Sequence, residues 1–288
     1  MIHFGSMELA DAERWPDLIA IVRAKVKPER DANNRAAYRD RWWWFGERRP
    51  ALYASIRRRT RCLACSAVTK HFVIAPQPTD RVFSHNVNVF VLEQRAGFTV
   101  LQSRVHEAWA RLLSATLEER LNYRTSDCFE TFPFPTPDPR ALPPTLDAPG
   151  ERLYTARARY MVETDQGLTK TYNRLKDPTC LDPAIVALRR LHEDLDRAVL
   201  AGYREHAGWP EIAVPPYGTP TTPAEERAVE AFEDEVIDRL FQLNAERAAA
   251  ERAGAAGTAK SRKASATKRR PAKKRAPPEA GKDLFERA

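Results

Sequence analysis

Glycine is scarce, with 11 in 288 residues, and no two of them stand as Gly-x-Gly. A dinucleotide or S-adenosylmethionine site of the usual kind needs a glycine-rich turn after a strand, so that the backbone can approach the ligand closely. Neither that turn nor a P-loop is present. Neither Asp-x-Lys nor Glu-x-Lys occurs, which excludes the commonest metal-dependent nuclease arrangement, and no Gly-x-Ser-x-Gly elbow appears. Long apolar runs are missing too. None approaches the roughly 18–20 residues that cross a bilayer, and Met1–Ala10 lacks a basic segment followed by an apolar one. These absences set an expectation of a cytoplasmic chain without a membrane partner.

Cysteine is limited to Cys62, Cys65, Cys128 and Cys180. Cys62-Leu-Ala-Cys65 has the spacing of half a zinc site, but no second pair or His at finger spacing completes it. The expectation is no metal, with two small residues buried on a strand. His106-Glu107 lacks the second His of a zinc helix, since position 110 is Ala110, and reads as a structural histidine. Val214-Pro215-Pro216-Tyr217 imitates an amino-methyltransferase motif but starts with Val, which cannot accept a hydrogen bond, and reads as a linker. No catalytic residue is assigned.

The charge present is uneven. The chain carries +8, yet ten basic residues and no acid lie between Arg252 and Pro278, so the remainder stands at −2. The basic character belongs to a tail, expected to be disordered over 248–288. The composition, 43% hydrophobic and 30% charged, is that of a globular protein.

Local patterns give an α+β reading. Leu18 to Val26 suggest a short buried element, and Pro50 opens a helix with Leu52, Tyr53 and Ile56 on one face. Cys62–Ala75 and Val82–Leu92 are rich in Val, Ile, Phe and Thr and read as strands. Phe98–Leu101 reads as a third strand and Leu101–Leu113 as a helix. Asp127–Pro149 is proline-dense and reads as loop. Asp182-Pro183 and Thr222-Pro223-Ala224-Glu225 are helix starts, and the helices they open are expected to pack as an antiparallel pair. The expected organisation is an N-terminal segment 1–40, a small mixed or antiparallel β domain with flanking helices at 41–137, a linker 138–164, a helical region 165–247 and the tail.

Four stretches, taken in order, carry a resemblance: Trp42-Trp43-Trp44-Phe45-Gly46-Glu47-Arg48-Arg49-Pro50, Ala67-Val68-Thr69-Lys70-His71-Phe72, Leu101 to Arg111, and Cys128-Phe129-Glu130-Thr131-Phe132-Pro133-Phe134-Pro135. They resemble the target-recognition domain of MmeI-like (Type IIL/IIG) restriction-modification enzymes. Leu168-Thr169-Lys170-Thr171-Tyr172-Asn173 and the later helices resemble the C-terminal helical region of the same proteins. The resemblance implies a sequence-specific DNA-recognition module of an N6-adenine methyltransferase. Double-stranded DNA is then one partner and a methyltransferase catalytic subunit the other, with S-adenosylmethionine on that subunit and no cofactor in this chain. The chain is then a separately encoded specificity piece or a remnant. A second reading is a protein-interaction remnant without DNA specificity, and a third is an enzyme in its own right.

A recognition domain must grip phosphates and read base edges. Lys70, Arg81 and Arg104 are candidate grips. Arg120–Ser126 is the candidate reader, with Asn122 for adenine, Arg124 for guanine, and Thr125 or Ser126 for either. The alternative is that Lys70 and Arg124 are only solvated charges. The tryptophan run reads as core.

Overall fold

The computed structural model describes residues 1–114, 116, 117 and 120–267. Five short helices open the chain: α1 (Leu9–Ala12), α2 (Pro16–Lys25), α3 (Lys27–Asp31), α4 (Ala36–Asp40) and α5 (Pro50–Ile56). On α2, Ile19 and Val22 face inward while Leu18 and Ile21 stay exposed. The inward residues meet Phe4, Ala12 and the three tryptophans in a small core of their own. Trp43 and Trp44 both donate their indole N–H to the Met7 carbonyl, at 2.9 and 2.8 Å. The tryptophan run is therefore interior packing, with the polar edges of Trp43 and Trp44 satisfied as burial requires.

The strands follow: β1 (Arg61–Ser66), β2 (Val68–Thr69), β3 (Ala75–Pro78) and β4 (Val87–Phe90). β1 pairs antiparallel with β3 and β4, setting Leu63 opposite Phe90. Cys62 and Cys65 are both buried on β1, and burial pushes the Cys65 thiol up to about 12. A thiol so far from ionising is neither a ready ligand nor a nucleophile. Among the described residues no group of three or more His, Cys, Asp or Glu is placed to hold a metal.

Two helices then pack inside: α6 (Arg95–Gln102) and α7 (Arg104–Leu113). Phe98–Leu101 is thus helical, not a strand. Every residue of α6 from Ala96 to Gln102 is buried, and its short Phe-Thr-Val-Leu run has the aromatic and β-branched composition that imitates a strand. Ser103 ends α6 and caps α7, its Oγ accepting from the His106 N–H. β5 (Thr116–Leu117) and β6 (Arg120–Asn122) complete a second antiparallel sheet, ordered β2-β6-β5. α8 (Thr125–Cys128) follows directly.

The span 138–164, expected to be a linker, carries the whole of α9 (Asp147–Thr164). Its proline, Pro149, sits in the first turn, where the missing N–H has no helical partner to lose. At Gly150 a Cβ would lie 2.2 Å from Thr99 Oγ1 on α6, so only glycine permits this approach of the two helices. α10 (Leu168–Lys176), α11 (Pro183–Ala207) and α12 (Pro223–Thr267) finish the fold. Asp182 caps α11 through Ala184 N–H, and Thr222 caps α12 through Glu225 N–H. α11 lies chiefly along α9. Residues of α9, α11 and α12 share one core with Leu63, Phe72 and Trp109.

The architecture is α+β. Met1–Asn244 forms one compact unit and Ala245–Ala288 a second. In the second, α12 continues as far as Thr267, so residues 248–267 are helical rather than irregular; 268–288, the rest of the expected disordered tail, lie outside the described residues. Among the described residues no helix is long and apolar enough to cross a membrane.

Candidate nucleic-acid interface

Three adjoining clefts run over the strand side of the first unit. The first, about 430 Å³, is lined by Cys65, Ser66, Thr69, His71, Gln77 and Arg81 among others, with Leu168 and Thr169 of α10. The second, about 770 Å³, contains Lys70 and Arg120 and shares Ser66, Thr69, His71 and Thr169 with the first. The third, about 960 Å³, contains Arg30, Arg49, His85, Asn88 and Thr125 and shares Phe83, Ser84 and Val87 with the first. Shared walls make them one furrow. Among the described lining residues Glu47 is the one acid, and Arg49 holds it at 2.5 Å. A furrow lined by cations and small hydroxyls, with its acid already paired, favours a polyanion.

The furrow gathers three of the seven sequence-predicted residues, Lys70, Arg81 and Thr125, with Asn122, Arg124 and Ser126 close by in the chain. Lys70 is exposed on its rim and donates to Asn173 Oδ1 at 3.2 Å. Arg81 is exposed and held by Gln77 Oε1 at 2.7 Å. Asn122 lies on β6, paired with Val68. Thr125 lines the third cleft, next to exposed Arg124, whose side chain has no hydrogen-bond or ion-pair partner among the described residues. The Ser126 hydroxyl donates to Asp127 Oδ1.

Arg104 is the exception, and its assignment as a phosphate grip is corrected. Its Nε donates to Asp196 Oδ2 at 2.6 Å, and its Nη2 and Nη1 to the carbonyls of Pro215 and Pro216 at 2.7 and 3.2 Å. The guanidinium also faces the rings of Tyr217 and Phe232. It ties α7 to α11 and the following loop, which leaves it facing the interior. That loop is Val214–Tyr217, whose Tyr217 stacks on His192 at 4.2 Å. His106 is likewise structural: Nε2 meets Tyr123 Oη at 2.9 Å, the ring lies against Phe132, and burial holds its pKa down to about 3.

Sequence reasoning passed over His71, Thr169, Asn173, Arg49 and His85. His71, Thr169, Asn173 and Arg49 lie in stretches that carried the resemblance, but nothing local to them marks a groove; His85 is brought in by chain folding alone.

Residues 5–136 match the family model of the MmeI target recognition domain. This chain carries an MmeI-like target recognition domain. The match begins well before residue 41 and takes in the helices α1–α5 that precede the strands. A solved structure, the Type IIL restriction-modification enzyme MmeI in complex with DNA, superposes with a TM-score of 0.57 at 18% identity, covering 82% of this chain and 28% of that one. At that identity the likeness is one of fold. It reaches past the MmeI-like domain, because residues 5–136 alone are too few to supply that coverage. The chain spans under a third of the length of that enzyme. No curated protein matches the sequence.

Proposed function

We propose that this chain is the cytoplasmic, sequence-specific DNA-recognition module of an N6-adenine restriction-modification methyltransferase whose catalytic domain is on another chain. The observation that carries the reading is the cation-lined furrow built from the MmeI-like domain. Lys70, Arg81 and Arg120 are the phosphate grips, since each is exposed or lines the furrow. Asn122, Arg124, Thr125 and Ser126 are the base readers, with Arg124 suited to guanine through its two-pronged guanidinium. Arg104 takes no part.

The residues present do not fit S-adenosylmethionine. Gly97 sits within α6 against the Leu92 side chain, and no strand among the described residues runs into a glycine turn. In this reading methyl transfer belongs to the partner chain.

Selection of the purified chain against a randomised duplex library, with a salt titration, tests the proposal. Affinity should fall with salt at a log–log slope of about −0.9 for each neutralised phosphate, and a preferred sequence should emerge. Binding without enrichment of any sequence would contradict recognition. Methyl transfer to DNA from labelled donor by the chain alone would contradict the division of labour.

A further inference from the structure

Lys70 and His71 leave β2 together and converge on one atom of α10. Lys70 Nζ donates to Asn173 Oδ1 at 3.2 Å, and His71 Nε2 lies 2.8 Å from the same oxygen. An ammonium has no lone pair, so Lys70 fixes the amide of Asn173 with oxygen, not nitrogen, toward the pair. An oxygen at 2.8 Å in turn requires a hydrogen on His71 Nε2. In a neutral imidazole the other nitrogen, Nδ1, is then an acceptor.

The neutral form is the favoured one. Burial lowers the His71 pKa, and Lys70 and Lys176 push the same way, against the Asn173 bond and Glu107. The Tyr172 ring, 6.0 Å away, adds no charge of its own at neutral pH. Among the described residues Nδ1 has no partner within the protein, nor is it one of the buried unpartnered atoms, so it is open to solvent. His71 lines both the first and second clefts.

We propose that His71, held by Asn173 and Lys70 with Nδ1 as an acceptor, reads the exocyclic amino group of an adenine or cytosine lying in the furrow. This rests on the DNA-recognition reading above. In the major groove those two bases offer an amino donor, whereas guanine offers N7 and O6, whose lone pairs would face the lone pair of Nδ1. Asn173 is a positioning residue and touches no base. The arrangement extends recognition into α10, beyond residues 5–136.

Two measurements on the full chain test it. Nitrogen NMR of the free protein should find His71 neutral near pH 7.5 with hydrogen on Nε2; hydrogen on Nδ1 overturns the proposal. Selection from the randomised duplex library should then compare the wild type with His71→Phe and Asn173→Asp. The wild type should require adenine or cytosine at one position, and His71→Phe should lose roughly tenfold of discrimination there and nowhere else. Asn173→Asp sets a carboxylate against the ring, favours imidazolium, and turns Nδ1 into a donor. Its preference should move to guanine, more so as pH falls. If both variants keep the wild-type preference at every position, the role of His71 is overturned while DNA recognition stands. If the wild type itself enriches no sequence, both fall.

Discussion

The arginines of the helical side and the cations of the furrow are chemically alike but placed in opposite circumstances. Arg157 is 2% exposed, and its donors go to Gln102 Oε1, Tyr172 Oη and the Ile74 carbonyl. Arg189 likewise donates to the carbonyls of Arg174, Leu175, Asp177 and Cys180. Arg104 closes on Asp196, whose side chain is 2% exposed. Across the molecule Lys70 and Arg81 each make one neutral contact, and Arg124 makes none among the described residues. The difference separates architecture from recognition better than charge does. A cation whose donors are filled holds elements together, and one whose donors are open awaits a partner.

The sharpest way to break this contrast is to remove a cation from each side. Arg104→Ala leaves Asp196 charged, buried and without its partner. Such a loss costs about 3–5 kcal/mol, on the order of 10 °C in melting temperature for a chain of this size. Calorimetry checks it. Replacing the pair together, Arg104→Met with Asp196→Leu, should recover much of the loss, because two matched apolar groups leave no stranded charge. A melting point unchanged in Arg104→Ala would mean that the pair is not shielded as described.

On the furrow side, Arg124→Ala should leave the melting curve within about 0.5 kcal/mol of wild type, as exposed substitutions do. It should nevertheless cost about 1–3 kcal/mol of discrimination at one base position. Competition binding between the preferred duplex and its single-base variants reads this directly. A uniform loss across all duplexes would make Arg124 a phosphate grip instead.

Acid should unpick the helical side through His106. A free imidazole titrates near 6.5, whereas burial holds this one down to about 3. Between those values the unfolded chain binds a proton that the folded chain refuses. Stability is therefore full above about 6.5 and falls as pH falls, by about 1.4 kcal/mol per pH unit from this group, until about 3. Equilibrium unfolding of wild type and His106→Gln across that range should give slopes that differ by roughly this amount.

What the sequence revealed and what it hid follow the same division. The starts of α11 and α12 were legible because a capping Asp or Thr, a proline and a helical apolar stripe lie within a few residues of each other, and that of α5 from Pro50 and its stripe, whereas α7 begins at Arg104, after its Ser103 cap, rather than at Leu101. α6 was not, since its short Phe-Thr-Val-Leu run has the composition of a strand. Of the candidate residues, Lys70, Arg81 and Thr125 line the furrow or stand on its rim. Arg104 could not be judged locally: its fate is set by an acid 92 residues away, and only the packing of α11 brings that acid to it.

The smallest expected effect cuts most cleanly between the two sides. Lys70→Gln keeps a polar side chain of similar reach and removes one positive charge from the furrow, without touching the core. If Lys70 meets a phosphate, the slope of log affinity against log salt should become shallower by about 0.9, for preferred and random duplexes alike. Arg152→Gln, exposed on α9 and outside the furrow lining, gives the matched control, since it too lowers the net charge by one. Its salt slope should equal that of the wild type. Were the two slopes to shift together, the protein's overall charge would account for its affinity for DNA, and the furrow would lose its claim to be the surface that the duplex meets.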